Sequence, residues 1–267
     1  MHLHSNFSDG TDAPARVVER AAELGISALA LTDHDTVGGV LEAREAARLA
    51  GIAFLSGVEI TAHFQGFEVH TLGLGIDVHN DALVASLDRL REGRTARAMR
   101  IVDKLRGLGI PITFDRVAER AAGEASIGRI HIARELNAMG LCKTVQGAFE
   151  KYIGEGRKAY EANPRMPLEK AIELIHDSGG LAFLAHPGIG PVRRRVARLL
   201  ELPFDGLEAY HSKHSPGQTD EYSRLAEAKG LLVGGGSDCH GATGRKPDMG
   251  KVRVPYARFE ALNERLS

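Results

Sequence analysis

Short apolar runs that end on a histidine or a carboxylate recur in the first 80 residues and again in the last hundred or so, and this pattern limits the possible folds more than any other feature. Ser27–Thr32 is followed at once by Asp33-His34-Asp35, and Leu181–Ala185 by His186. Glu59 lies just beyond Ile52–Gly57, and Asp238 and His240 just beyond Leu231–Gly236. Near the N-terminus His2 and His4 flank Leu3, Asp9 sits on a Ser-Asp-Gly turn, and His70 lies within or at the start of the run Phe67–Ile76. Residues two apart on a strand share a face, so His2 and His4 project together. Helical stretches such as Val37–Leu49, Leu168–Ser178, Val192–Glu201 and Gln218–Lys229 separate the apolar runs, and that alternation is the mark of an α/β sheet or barrel. With a very short first strand around Leu3, seven strand-like runs are expected. The reading is a closed or nearly closed seven-stranded (β/α) barrel whose strand ends gather the polar groups on one rim.

Between Asp81 and Lys158 the strand pattern stops. Helical periodicity covers Ala82–Leu108, Phe114–Ala122 and Gly128–Met139, with Gly140 as a stop. Residues 81–158 are therefore expected to form an inserted helical subdomain, leaving 1–80 and 159–267 as the barrel. The insertion carries a net charge of +5 and the remainder −6. A basic insertion on an acidic body suits a phosphate ester held over divalent cations, although chance segregation of surface charge gives the same numbers. Arg91, Arg94, Arg97, Arg100 and Lys104 recur every three or four residues as a basic stripe, for which a solvated face is the plain alternative. Arg129 and His131 open a helix, where free N–H groups favour phosphate.

Composition narrows the class. At 267 residues and 43% hydrophobic side chains the chain can bury a full core. No apolar run approaches the ~20 residues of a membrane span, and no basic-then-apolar leader is visible. Two cysteines cannot supply a disulfide framework, so Cys142 and Cys239 read as reduced thiols in a cytoplasmic protein. The same shortage argues against a structural zinc site. Imidazoles mixed with carboxylates, in numbers beyond one ion's needs, suit Mn²⁺, Fe²⁺ or Zn²⁺ at a multinuclear hydrolytic centre.

The residues also carry a specific resemblance. His2-Leu3-His4-Ser5 with Ser8-Asp9-Gly10, Thr32-Asp33-His34-Asp35, Gly57-Val58-Glu59, Ala185-His186-Pro187 and Ser237-Asp238-Cys239-His240 resemble, in order, the motifs of the PHP (polymerase and histidinol phosphatase) family. The resemblance implies a distorted seven-stranded (β/α) barrel of PHP type with two or three divalent ions, manganese favoured and iron or zinc as alternatives. One ion would lie on His2, His4, Glu59 and Asp238. A second would share Glu59 and take His70 and His186, and a third would use Asp9, His34 and His240.

Arg91–Arg94, Gly128–Arg134, Gly156–Tyr160 and His211–Pro216 resemble the branch that removes phosphate from nucleoside 3′,5′-bisphosphates, some members of which trim short RNA from the 5′ end. This implies Arg94, Arg129, His131, Lys158 and Tyr160 as substrate-binding residues. Glu59 would join the catalysis by bridging two ions, and His211 or His214 would protonate the departing sugar oxygen. The expected partner is a small phosphorylated molecule, nucleotide or short RNA end, with no membrane and no stable protein partner. The rival readings are a phosphatase for another small ester such as histidinol phosphate and a catalytically silent metal-binding module.

Overall fold

A computed structural model describes residues 1–121, 127–162, 166–241 and 248–267. The element order is α1 (Pro14–Glu23), β1 (Ala28–Leu31), α2 (Val40–Ala50), β2 (Ala53–Phe64), β3 (Phe67–Leu74), α3 (Asp81–Gly107), α4 (Phe114–Arg120), α5 (Arg129–Ala138) and α6 (Val145–Ala148). There follow α7 (Leu168–Asp177), β4 (Leu181–Leu184), α8 (Val196–Leu199), β5 (Gly206–His211), α9 (Pro216–Ala228), β6 (Leu232–Gly236) and α10 (Tyr256–Leu266). The chain divides into two compact units, residues 1–87 with 166–267, and residues 88–165.

The first unit is built on one sheet in the order β1-β2-β3-β4-β5-β6. It is an α/β fold with a mixed sheet of six strands among the described residues, and one strand, β3, departs from the parallel pairing that a (β/α) barrel implies. β1–β2, β4–β5 and β5–β6 pair in parallel, whereas β3 runs antiparallel to both β2 and β4. The reversal follows from the Gln65-Gly66 turn, where both residues take positive φ and fold β2 back as a hairpin. β2 is also longer than expected, so Glu59 lies inside it rather than at its end. Residues beyond β1 keep pace with it: Glu59 N–H donates to the Asp33 carbonyl and Asp35 N–H to the Glu59 carbonyl.

Residues around Leu3 do not form a named strand. They nevertheless hydrogen-bond on both sides: Thr32 N–H donates to the Leu3 carbonyl, His4 N–H to the Cys239 carbonyl and Asp238 N–H to the His2 carbonyl, at 2.9–3.0 Å. This approach requires glycine at 236, because a Cβ there would collide with the backbone and Cβ of His2. Leu3 and Cys239 are buried together with Val17, Leu29 and Ala43, so the Cys239 thiol belongs to the core.

The helices follow their local signals. Pro14 opens α1 at its first turn, and Gly51 ends α2 with φ 67°. Ser215 caps α9 reciprocally with Gln218, with Pro216 in the first turn. The expected helix Val192–Glu201 is broken into a 3₁₀ turn at Gly190–Arg194 and the one-turn α8, because Arg195 leaves helical geometry at φ −128°. The end of the expected helix at Ala122 lies outside the described residues.

The second unit is helical, with Ile101, Leu105, Ile112, Val117, Ile132 and Leu136 buried as its own core. Much of the basic stripe is committed within it. Arg97 Nε donates to the Glu161 carbonyl, Arg100 Nε to the Glu161 carboxylate, and Lys104 Nζ to that carboxylate and to the Tyr160 carbonyl. The i, i+3, i+7 spacing thus clamps the 160–161 segment against α3, a structural use that the solvated reading did not foresee. Arg116 and Arg120 similarly neutralise the buried Glu135.

Candidate metal centre

Glu59 is the pivot of a buried cluster within the first unit. Its side chain is fully buried, and its two oxygens face different histidines. Oε1 lies 2.8 Å from His70 Nδ1 and 3.0 Å from His186 Nε2. Oε2 lies 3.0 Å from His2 Nε2, 3.1 Å from His4 Nε2 and 3.3 Å from His34 Nδ1. Asp238 Oδ1 stands 3.4 Å from His2 Nε2 and 3.1 Å from His4 Nε2. Asp9 Oδ1 is 3.2 Å from His240 Nε2, and His4, Asp9, His34 and His240 bring one ligand atom each within 4.8 Å of one another. The same closeness groups His2, His4, Glu59 and Asp238, and also His34, Glu59 and His70.

Three pieces of local structure deliver these side chains. The hydrogen bonds flanking Leu3 hold His2 and His4 on one face between β1 and the segment after β6. The reversal of β3 pairs His70 with Thr61, so His70 reaches the rim from the beginning of an antiparallel strand rather than from a C-terminal end. Finally, His186 and Asp238 take φ of 28° and 54° immediately beyond β4 and β6. Such values cost a residue with a side chain about 1–3 kcal/mol and concentrate at functional sites. The loop bearing Asp9 is pinned by Asp33, which accepts from Ser5 N–H at 2.7 Å, Ser5 Oγ at 2.6 Å and Ser8 Oγ at 2.5 Å.

The donor set fits divalent cations. His4 Nε2 and His34 Nδ1 are buried without a hydrogen-bond partner, although carboxylate oxygens lie 3.1–3.3 Å away. Unpaired imidazole nitrogens turned toward carboxylates are what a cation needs, and the absence of thiolates points away from a closed structural zinc site. Electrostatics agree. Burial alone would lower the His2 imidazole, but Glu208, Glu59 and Asp238 overcome it and push it up to about 10. Burial is likewise overcome at His70, where Glu59 and Glu68 raise it to about 10. At His34 burial prevails over Glu59 and Asp9, with His4 and His70 adding to it, and the ring falls to about 3. Burial opposes ionisation of Glu59 and Asp238, yet the surrounding histidines hold both well below the usual carboxylate range.

One consequence is measurable. Without an ion, His2 and His70 are protonated at pH 7, because their folded-state values lie above that pH; a cation requires the free lone pair. Against burial, Asp238 and Glu59 raise His4 in the same direction, so loading Mn²⁺ at pH 7 is expected to expel about two or more protons per chain, and affinity rises with pH. Calorimetry in two buffers of different ionisation enthalpy reads this number directly, and binding without proton release would contradict the assignment of these two rings.

Beyond the expected ligands, the cluster contains Glu208, which the sequence reading missed. It is fully buried on β5 and contacts His2 Nδ1 at 3.0 and 3.2 Å and His186 N–H at 2.7 Å. A lone Glu in the run Gly206–Tyr210 carries no spacing signal; only burial of a charged residue on a central strand would have found it. Of the two candidate proton donors, His211 lies at the rim with Nε2 3.4 Å from Asp238 Oδ2, and its Nδ1 accepts from Lys213 N–H. His214 does not suit that role. Its Nδ1 donates to the Ala209 carbonyl at 2.8 Å and its Nε2 accepts from Gly188 N–H at 3.1 Å, so both nitrogens are held by backbone. Burial lowers its pKa, and the Ala209 contact only partly offsets this.

The residues expected to bind substrate lie in the helical unit. Arg129 stands over the Phe149 ring at 5.7 Å, and Lys158 is exposed. Arg94 and Tyr160 are half-buried. His131 is buried, and its Nδ1 accepts from Gly128 N–H at 2.9 Å, capping the helix it opens.

Residues 1–229 match the PHP domain. The chain is 38% identical over 245 residues to a 3′,5′-nucleoside bisphosphate phosphatase from Chromobacterium violaceum, covering 90% of this chain and 86% of that protein. It is 34% identical over 247 residues to the 5′-3′ exoribonuclease Rnm of Escherichia coli, covering 90% and 84%. Its fold is similar to that of an amidohydrolase from Chromobacterium violaceum solved with bound sulfate and no metal, with a TM-score of 0.86 and 35% identity over 99% of this chain and 95% of that one.

Proposed function

The chain belongs to the PHP domain family and is a metal-dependent phosphoesterase; from that premise we propose that it removes the 3′-phosphate of nucleoside 3′,5′-bisphosphates and also trims short RNA from the 5′ end. The observation that carries this reading is the split environment of Glu59, whose two oxygens face two separate sets of histidines. His2, His4, Glu59 and Asp238 would hold one divalent ion, Glu59, His70 and His186 a second, and Asp9, His34 and His240 a third. Manganese is the favoured ion, since nitrogen and carboxylate oxygen are mixed in all three sets. In fold terms, the segment around Leu3 is read as a seventh stave joining β6 to β1, which would make the sheet a distorted barrel.

Bound divalent ions supply a water activated near neutral pH and positive charge against the phosphoryl oxygens. The chain's own groups do the rest. Glu59 and Asp238 stay ionised among the histidines and so keep the cluster ready to receive cations. His211 accepts at Nδ1 from Lys213 N–H, which leaves its proton on Nε2, the atom on the side of Asp238. After taking up a second proton on Nδ1, which gives up the Lys213 contact, the imidazolium is proposed to protonate the departing ribose oxygen from Nε2. For the helical unit by itself, Arg94, Arg129, Lys158 and Tyr160 are proposed as phosphate-binding groups, with His131 serving its cap.

Inorganic phosphate release from adenosine 3′,5′-bisphosphate, AMP and histidinol phosphate, each with Mn²⁺, tests the substrate. Fast release from the bisphosphate alone is expected. Preference for histidinol phosphate would move the reading to another small ester.

A further inference from the structure

We infer that Glu208 is a positioning residue that fixes two metal-ligand residues at once, the ring of His2 and the backbone of His186. The inference rests on the reading of the cluster as a metal centre. An ionised carboxylate can only accept hydrogen bonds, and Glu208 has two oxygens for two donors. Its contacts at 3.0 and 3.2 Å with His2 Nδ1 require a proton on that nitrogen, so that in the neutral ring the lone pair is on Nε2. Nε2 is the nitrogen that faces Glu59 and Asp238. Glu208 Oε2 also accepts from His186 N–H at 2.7 Å, at a residue held with φ 28°. β5 shifts register against β6 between Glu208 and Tyr210, an irregularity of the kind that re-aims a strand side chain. Carboxylates behind ligating histidines set their tautomer and orientation, and their loss weakens metal binding by about 10–100-fold.

Glu208→Gln separates this role from packing. The amide has nearly the same shape but only one acceptor oxygen, so either His186 N–H loses its partner or the amide donates to His2 Nδ1 and moves the ring proton to Nε2. Titration of the ion-free variant with Mn²⁺, read by the free-ion magnetic resonance signal, is expected to show about 10–100-fold weaker binding at the two sets that include His2 and His186. Binding at Asp9, His34 and His240, none of which touches Glu208 in the contacts above, is expected to match the parent protein. Equal affinity for every ion in parent and variant would overturn the inference while leaving the metal centre intact. If the parent binds no ion, the metal reading itself falls, and the inference with it. Should the variant fail to fold, nitrogen-15 spectra of the Zn²⁺-loaded parent decide: a ring proton on His2 Nδ1 is expected, and one on Nε2 overturns the proposal.

Discussion

Glu59→Gln is expected to lower kcat by at least about 10³-fold, equivalent to about 4 kcal/mol of transition-state stabilisation. The substitution keeps the shape of the side chain but removes its charge and one of its acceptor oxygens. Glu59 Oε1 serves His70 and His186, while Oε2 serves His2, His4 and His34, so the amide cannot satisfy both sides. The number of Mn²⁺ ions retained per chain after dialysis should drop in parallel. Circular dichroism of the variant should remain that of the parent, since the deleted charge lies in the site rather than in the apolar core. A variant that kept its ions and its kcat within tenfold would remove Glu59 from the centre of the mechanism.

The second large effect belongs to His211. His211→Asn is expected to slow phosphate release from the bisphosphate by about 10²–10⁴-fold, the range for a general acid. The leaving group decides the interpretation. Ribose oxygen needs a proton as it departs, whereas 4-nitrophenolate does not, so 4-nitrophenyl phosphate should be hydrolysed at close to the parental rate. Equal slowing with both esters would instead assign His211 to holding Asp238, which lies 3.4 Å from its Nε2. His214→Asn should leave the ratio between the two esters unchanged, because both ring nitrogens of His214 are already bound to backbone groups.

Part of the candidate cluster was legible in the sequence because His34, His186, Asp238 and His240 follow the short apolar runs of β1, β4 and β6, which run the same way and end on one rim. His2, His4, His34, Glu59, His70, His186, Asp238 and His240, with Asp9, do converge, as the distances above record. What periodicity could not supply was direction. Nothing in Phe67–Leu74 distinguishes an antiparallel strand from a parallel one, so the mixed sheet emerged only from the hairpin at Gln65-Gly66. Glu208 was invisible for a related reason: a single acidic residue on a strand reads as solvent-facing until its neighbours in space are known. The basic stripe on α3 shows the converse error. Helical spacing identified a common face for Arg97, Arg100 and Lys104 but could not tell that the 160–161 segment covers it. Imidazole roles also depend on both nitrogens, which is why His211 and His214 could not be separated before their hydrogen bonds were known.

The central claim is that divalent ions on the Glu59 cluster carry phosphate ester hydrolysis. Its most direct test is phosphate release from adenosine 3′,5′-bisphosphate by one preparation before chelation, after chelation and dialysis, and after return of Mn²⁺. Release should vanish on chelation and return with the ion, with Glu59→Gln failing to recover. Undiminished release from the chelated protein, or no release from protein shown to contain bound Mn²⁺, would contradict it.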